Sequence, residues 1–240
     1  MLLTLENLRK RYGALTVTDD VSLDIAAGVI VGILGPNGAG KTTLFNLVAG
    51  TVRADAGRVQ FAGADVTALG VPERCRAGIA RSFQIPHPFG GMTVFENVLV
   101  GATFGRPTSA ASPEARAAAV LELTGLKPKA NALAGSLGLL ERKRLEMARA
   151  LATDPKLLLL DEIAGGLTER ECQSLLAGLR DVHASGVTIV WIEHVVHALL
   201  AVAQRLVVMN FGAKIADGPP AAVMASPQVK SVYMGEDAHV

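Results

Sequence analysis

The 240-residue chain is half hydrophobic and 19% charged, so it can bury a sizeable core, and its net charge of +1 lacks the basic excess of a dedicated nucleic-acid binder. Its two cysteines, Cys75 and Cys172, stand alone, which fits neither a disulfide framework nor a metal site and suits a reducing compartment. No apolar run reaches membrane-span length, and the N-terminal residues lack a signal peptide's basic start and long apolar middle, so the chain is expected to be soluble and cytoplasmic, reaching a membrane only through a partner.

In chain order, residues 2–6 and 21–25 read as strands, and the apolar run Val29 to Leu34 reads as a buried strand feeding a helix over 42–50. Arg58 to Ala62 follows the turn-like Ala54 to Gly57 as another strand, and 72–77 reads as a short helix. From about 92 to 152 no strand signal occurs. Thr93 to Val100 opens a helix, Pro113 to Leu123 forms a second with Gly125 as its stop, and Leu140 to Leu151 a third with basic residues at its start. Pro107 to Ser112 between them reads as an exposed loop. Beyond Pro155, strands at 157–160, 187–192 and 205–209 alternate with helices at 168–183 and 195–203, which implies a parallel sheet.

Two motifs carry chemistry. Gly35-Pro36-Asn37-Gly38-Ala39-Gly40-Lys41-Thr42-Thr43 follows a strand and opens a helix, the context a P-loop requires. Its glycines let backbone N–H groups close around phosphate oxygens at the positive end of the new helix. Lys41 reaches the β- and γ-phosphates and the Thr42 hydroxyl takes Mg²⁺, so a nucleoside triphosphate such as ATP is the implied ligand. The second motif, Leu157-Leu158-Leu159-Leu160-Asp161-Glu162, reads as a buried strand delivering two acids to its C-terminal edge, where ligands sit in parallel sheets. There Asp161 suits Mg²⁺ through water, and Glu162 suits a base that takes a proton from the attacking water.

With these motifs in order, nearly the whole chain resembles the ATP-binding cassette ATPases. Tyr12 sits where that family places an aromatic that stacks on adenine, and Gln84, in Arg81-Ser82-Phe83-Gln84, matches the glutamine that reaches Mg²⁺ and senses the γ-phosphate. His194 matches the histidine that contacts the γ-phosphate, and Arg142 to Leu151 matches the helix after the family's signature loop. The resemblance implies Glu162, His194, Lys41 and Gln84 as catalytic residues. It implies Tyr12, Val17, Asn37, Gly38, Ala39, Gly40, Lys41, Thr42 and Thr43 as the nucleotide site, and Thr42, Gln84 and Asp161 as metal ligands, with ATP and Mg²⁺ as cofactors. His87, His183, His197 and His239 are given no role.

The fold so implied is α/β, a P-loop NTPase with a RecA-like parallel core sheet, an N-terminal antiparallel β subdomain and an inserted α-helical subdomain. Residues 1–240 form a single cassette domain: about 1–84 and 153–240 make the nucleotide-binding core, about 85–152 the helical subdomain and about 217–240 a C-terminal tail.

The chain departs from the family at the signature, usually Leu-Ser-Gly-Gly-Gln. Counting back without gaps, that segment is Leu137-Gly138-Leu139-Leu140-Glu141, which replaces the serine, the second glycine and the glutamine; a gapped register over 135–139 puts Ser136 on the serine. The ungapped register is favoured because the following helix is rigid. After Glu162 the usual Pro-Thr-Ser-Ala-Leu-Asp reads Ile163-Ala164-Gly165-Gly166-Leu167-Thr168. The chain's own nucleotide half thus looks complete, while its contribution to a neighbour's site looks degenerate, which favours a heterodimer of cassettes over a homodimer.

Arg81 to Gln84, Gly91 to Gly101, and the tail from Ala216-Asp217-Gly218-Pro219-Pro220 to Tyr233-Met234-Gly235-Glu236 are similar to ATPase subunits of bacterial branched-chain and other hydrophobic amino acid importers. That likeness implies two transmembrane permease subunits, a second cassette subunit, a periplasmic solute-binding protein and a place on the inner face of the cell membrane. The segment from Gln84 to about Val100 is expected to meet the permease, with Phe83 just before it and Phe89 and Phe95 within it serving either that contact or the core of the helical subdomain. The lipopolysaccharide-export ATPase is the nearest alternative within transport. A soluble cassette ATPase of DNA repair or translation fits less well, since paired cassettes, heptads and zinc modules are missing.

Overall fold

The chain's continuous apolar runs become strands buried along their whole length, in a computed structural model that describes residues 1–107 and 111–234. In chain order the elements are β1 (Leu3–Tyr12), β2 (Leu15–Ile25), β3 (Ile30–Leu34), α1 (Lys41–Ala49), β4 (Ala56–Phe61) and β5 (Ala64–Asp65). Then come α2 (Val71–Ala77), β6 (Ile79–Arg81), α3 (Val94–Phe104), α4 (Pro113–Leu123), α5 (Leu139–Ala152), β7 (Leu157–Asp161) and α6 (Glu169–Ala184). The last are β8 (Thr188–Ile192), α7 (Val196–Leu200), β9 (Arg205–Asn210), β10 (Ala213–Gly218), α8 (Pro220–Ala225) and α9 (Pro227–Met234). The fold is α/β, with an antiparallel sheet, parallel strand pairs and intervening helices.

Two compact units divide these elements, one comprising Met1–Val71 and the described residues from Val190 onward, the other Pro72–Ile189. In the first, β2-β1-β4-β5 form an antiparallel sheet in which Leu3 lies opposite both Ile25 and Phe61. Strand β3 runs parallel to β9, with Val31 opposite Arg205, and β9 turns back into β10. Helix α1 buries Leu44, Phe45, Leu47 and Val48. Trp191 and Ile192 at the end of β8 are fully buried.

In the second unit β6 runs parallel to β7, with Ile79 opposite Leu157. Helix α6 buries Cys172, Leu175, Leu176, Leu179 and Val182, one face of a 3.6-residue period. Helix α3 opens with a capping box, the Thr93 hydroxyl accepting from the Glu96 N–H and the Glu96 carboxylate from the Thr93 N–H. Burial of Asn97, whose amide bonds both backbone groups of Phe89, pins the preceding loop to that helix.

The structure departs from the sequence reading in several places. Strands 2–6 and 21–25 extend into a hairpin that turns at Gly13, φ +61°, because backbone pairing carries the largely exposed residues 9–12 along. The helix expected over 195–203 shortens to α7, and β6, β10, α8 and α9 are additional. Strand β6 has only three residues and β10 is half exposed, so neither shows a periodic apolar signal. The tail beyond Met234, His239 included, and residues 108–110 of the expected loop lie outside the described residues.

Candidate functional site

In the first unit the P-loop runs from the end of β3 into the first three residues of α1. Gly40 has φ +94°, and a Cβ there would lie 2.3 Å from the Val17 carbonyl oxygen, so only glycine fits where the loop enters the helix. That close approach brings Val17 against the loop, and the Gly212 N–H reinforces it by donating to the Ala39 carbonyl. No side chain caps α1, and its first turn carries no acid, which suits the helix start to an incoming anion. Asn37, Gly38 and Thr42 are exposed, Thr43 is half-buried and Ala39 is buried.

Lys41 is only 5% exposed. Its ammonium folds back on its own loop, donating to the carbonyls of Gly35 at 2.6 Å and Pro36 at 2.9 Å. Tyr12 stands half-exposed at the end of β1, with the Lys10 ammonium 5.5 Å from its ring centre. His194 is exposed just beyond β8, and its backbone N–H donates to the carboxylate of the buried Glu193 at 2.9 Å. Glu193 also accepts from the Val195 N–H, so it shapes the turn that presents His194. Sequence reasoning gave Glu193 no role, for a buried acid at a strand end shows no periodic signal.

In the second unit the acids stand at the end of β7. Asp161 accepts a 2.7 Å ion pair from Arg81 at the end of β6, and both side chains are almost fully buried. The Gln84 side-chain amide donates to the Glu162 carboxylate, which brings together two residues the sequence reading assigned separately. Glu162 adopts a left-handed backbone at φ +49°, and its carbonyl accepts from the buried Lys143 of α5 at 3.3 Å. Arg81 and Lys143 were visible only as members of quoted motifs, since nothing in one sequence says which strand or helix faces an acid.

Phe83 and Phe89 are exposed, each with an arginine over its ring, Arg81 at 5.3 Å and Arg149 at 4.8 Å. The core reading of those two rings is therefore set aside; Phe95 is half-buried. At the signature segment, Gly138 is the N-cap of α5 and its N–H donates to the Glu141 carboxylate at 3.1 Å, while Lys129 lies 3.5 Å from the same side chain. Ser136 spends its hydroxyl on the Leu133 carbonyl. Thr168, where the family usually has aspartate, caps α6 in a box with Glu171.

These loops and strand ends define a P-loop ATPase class, and the comparisons specify it. Residues 18–165 match the family described as "ABC transporter", and residues 213–239 match "Branched-chain amino acid ATP-binding cassette transporter". The chain belongs to the ATP-binding cassette family of transporter ATPases. It is 37% identical over 238 residues to the lipopolysaccharide export system ATP-binding protein LptB of Escherichia coli (strain K12), covering 98% of each chain. It is 35% identical over 254 aligned positions to the high-affinity branched-chain amino acid transport ATP-binding protein LivG of Salmonella typhimurium (strain LT2), again covering 98% of each. Among solved structures it is similar to the ADP conformation of MJ1267, an ATP-binding cassette of an ABC transporter, with a TM-score of 0.88 at 32% identity over 98% of both chains. A nucleotide-free cassette from an ABC transporter gives the same TM-score at 31% identity, covering 97% of this chain and 98% of that one. The protein is thus an ATPase subunit that works with transmembrane permeases, and no helix among its described residues is long and apolar enough to cross a membrane.

Proposed function

We propose that the chain powers a membrane importer of branched-chain or other hydrophobic amino acids. In this reading it sits on the cytoplasmic face of the membrane, against two permease subunits fed by a periplasmic solute-binding protein. The observation that carries it is the match of residues 213–239 to the branched-chain amino acid cassette family. The similarity to LptB supports lipopolysaccharide export as the second reading.

Each unit has its chemistry. In the first, the amides of Asn37 to Thr43 and the Lys41 ammonium take the nucleotide phosphates, Val17 lines the loop, Tyr12 stacks on adenine and His194 contacts the γ-phosphate. In the second, Glu162 accepts the proton of the attacking water, and Gln84 holds the Glu162 carboxylate until nucleotide arrives. Thr42, Asp161 and Gln84 are the residues that would hold Mg²⁺. Asp161 is the one buried carboxylate of the three, with one oxygen taken by Arg81, which fits an ion that keeps its waters and leans on substrate phosphates, and among the described residues no cluster of three His, Cys, Asp or Glu offers an all-protein cage. When bound, Mg²⁺ neutralises charge on the phosphate oxygens.

The cassette partner is a different chain. A signature loop offers a serine and close backbone amides to phosphate, whereas here Glu141 already occupies the start of α5 with its own carboxylate and Leu140 follows Leu139 into the helix. ATP binding closes two cassettes because nucleotide contacts both only in the closed state. The test is Mg²⁺-dependent ATP hydrolysis by the purified chain across protein concentrations, with Glu162→Gln beside it, then transport by the assembled complex. ATP binding with negligible hydrolysis at every concentration supports an unlike partner; activity that rises more steeply than linearly and disappears in Glu162→Gln shows a working homodimer. Uptake of labelled leucine supports import, while lipopolysaccharide release without leucine uptake establishes the second reading.

A further inference from the structure

Glu162 is held in a left-handed backbone conformation, φ +49°. For an L-residue that conformation crowds Cβ against the carbonyl, and it persists only where surrounding groups hold it. Two groups grip Glu162 from opposite ends. Gln84 donates to the carboxylate, and the Lys143 ammonium donates to the backbone carbonyl at 3.3 Å. Lys143 is 5% exposed, and a buried ammonium must find acceptors because it has given up water. Its bond to a carbonyl is charge-assisted and stronger than a neutral one. Lys143 also lies on α5, five residues beyond Gly138, its N-cap.

We propose that Lys143 is a positioning residue: its ammonium fixes the Glu162 peptide in the left-handed turn and so ties the candidate base to the helix that carries the signature segment. The inference rests on the reading of Glu162 as the base. It also gives α5 a mechanical role, since a displacement of that helix pulls on the peptide that aims the carboxylate.

The test uses Lys143→Met, Lys143→Arg and Glu162→Gly, alone and combined, with turnover measured on the chain assembled in its transport complex and unfolding measured on the purified full chain. Lys143→Met should lower kcat about tenfold or more with KM for ATP within about twofold, and Lys143→Arg should keep most of the rate. Thermal unfolding supplies a second readout. In the wild-type background the lost bond is partly offset as residue 162 relaxes. In the Glu162→Gly background there is no strain to release, so Lys143→Met should lower Tm by about 2–4 °C more there. Equal Tm losses in the two backgrounds, or an unchanged kcat in folded Lys143→Met, would overturn the proposal. If complexes carrying the wild type and Glu162→Gln hydrolyse ATP equally, the base assignment fails instead, and the thermal comparison alone decides whether Lys143 holds the turn.

Discussion

The guanidinium of Arg81 lies 2.7 Å from the carboxylate of Asp161, their side chains 9% and 5% exposed. The pair closes the ends of two parallel strands in which Arg81 lies opposite Leu159, and Ser82 continues the ladder by donating its N–H to the Leu159 carbonyl. Such a pair adds little net stability, because both charges have lost water, yet breaking it strands the survivor. Arg81→Met should therefore cost about 3–5 kcal/mol in chemical denaturation. Arg81→Lys should cost less, as it keeps the charge without the planar fork. A loss below about 1 kcal/mol for Arg81→Met would mean that water reaches Asp161 when the arginine is gone.

Much of this arrangement was readable beforehand. The P-loop, the acids closing β7 and the helix over Pro113–Leu123 are local patterns, and local patterns survive folding. Gln84 and Glu162, 78 residues apart, were expected to serve one reaction and do meet. What stayed hidden depends on packing across the chain: Arg81 against Asp161, Lys143 against Glu162, and the burial of Glu193. Charged residues on a strand end or a basic helix read as solvated until a neighbouring element covers them. The exposed hairpin end of β1 and β2 stayed hidden for the opposite reason, since backbone pairing alone extends it.

Lys41 donates to the Gly35 and Pro36 carbonyls, so its ammonium is already placed at the loop before any phosphate arrives. A phosphate oxygen, being anionic, would accept from this ammonium in a stronger bond than either neutral carbonyl makes. Lys41→Met should weaken ATP binding about 10- to 100-fold, from the loss of one hydrogen bond to a charged group. Titration calorimetry measures this. A variant that binds ATP as tightly as the wild type would remove Lys41 from the phosphate site.

Glu146 in α5 is 8% exposed and pairs with Arg149 at 3.0 Å. Burial pushes its carboxyl above the usual value of 4.5, against the opposing pull of Arg149 and, more weakly, of His87. The folded chain thus keeps a proton that the unfolded chain releases. This contribution to stability is fully present below the unfolded value and is lost as pH rises through the folded one. Glu146→Gln removes the titration, so its stability relative to the wild type should improve between about pH 4 and about pH 7.5. Denaturation midpoints at the two pH values check the sign; a constant difference would mean that Arg149 fully compensates the buried charge.

Restoring the signature separates stability from turnover, because the two changes it needs pull the helix in different directions. Gly138→Ser puts a hydroxyl at the N-cap of α5, where the Glu141 carboxylate already accepts the backbone N–H of that position. It completes a capping box and should gain a few tenths of a kcal/mol, about 0.3. Leu140→Gly opens the backbone to a phosphate but costs up to about 1 kcal/mol of helix propensity. The double variant should therefore be no more stable than the wild type, while its steady-state ATP hydrolysis as a purified chain should rise. A higher rate at unchanged or lower Tm would tie the gain to phosphate contact across a cassette pair. An unchanged rate in a folded double variant would show that Gly138 does not occupy the place of the family's serine.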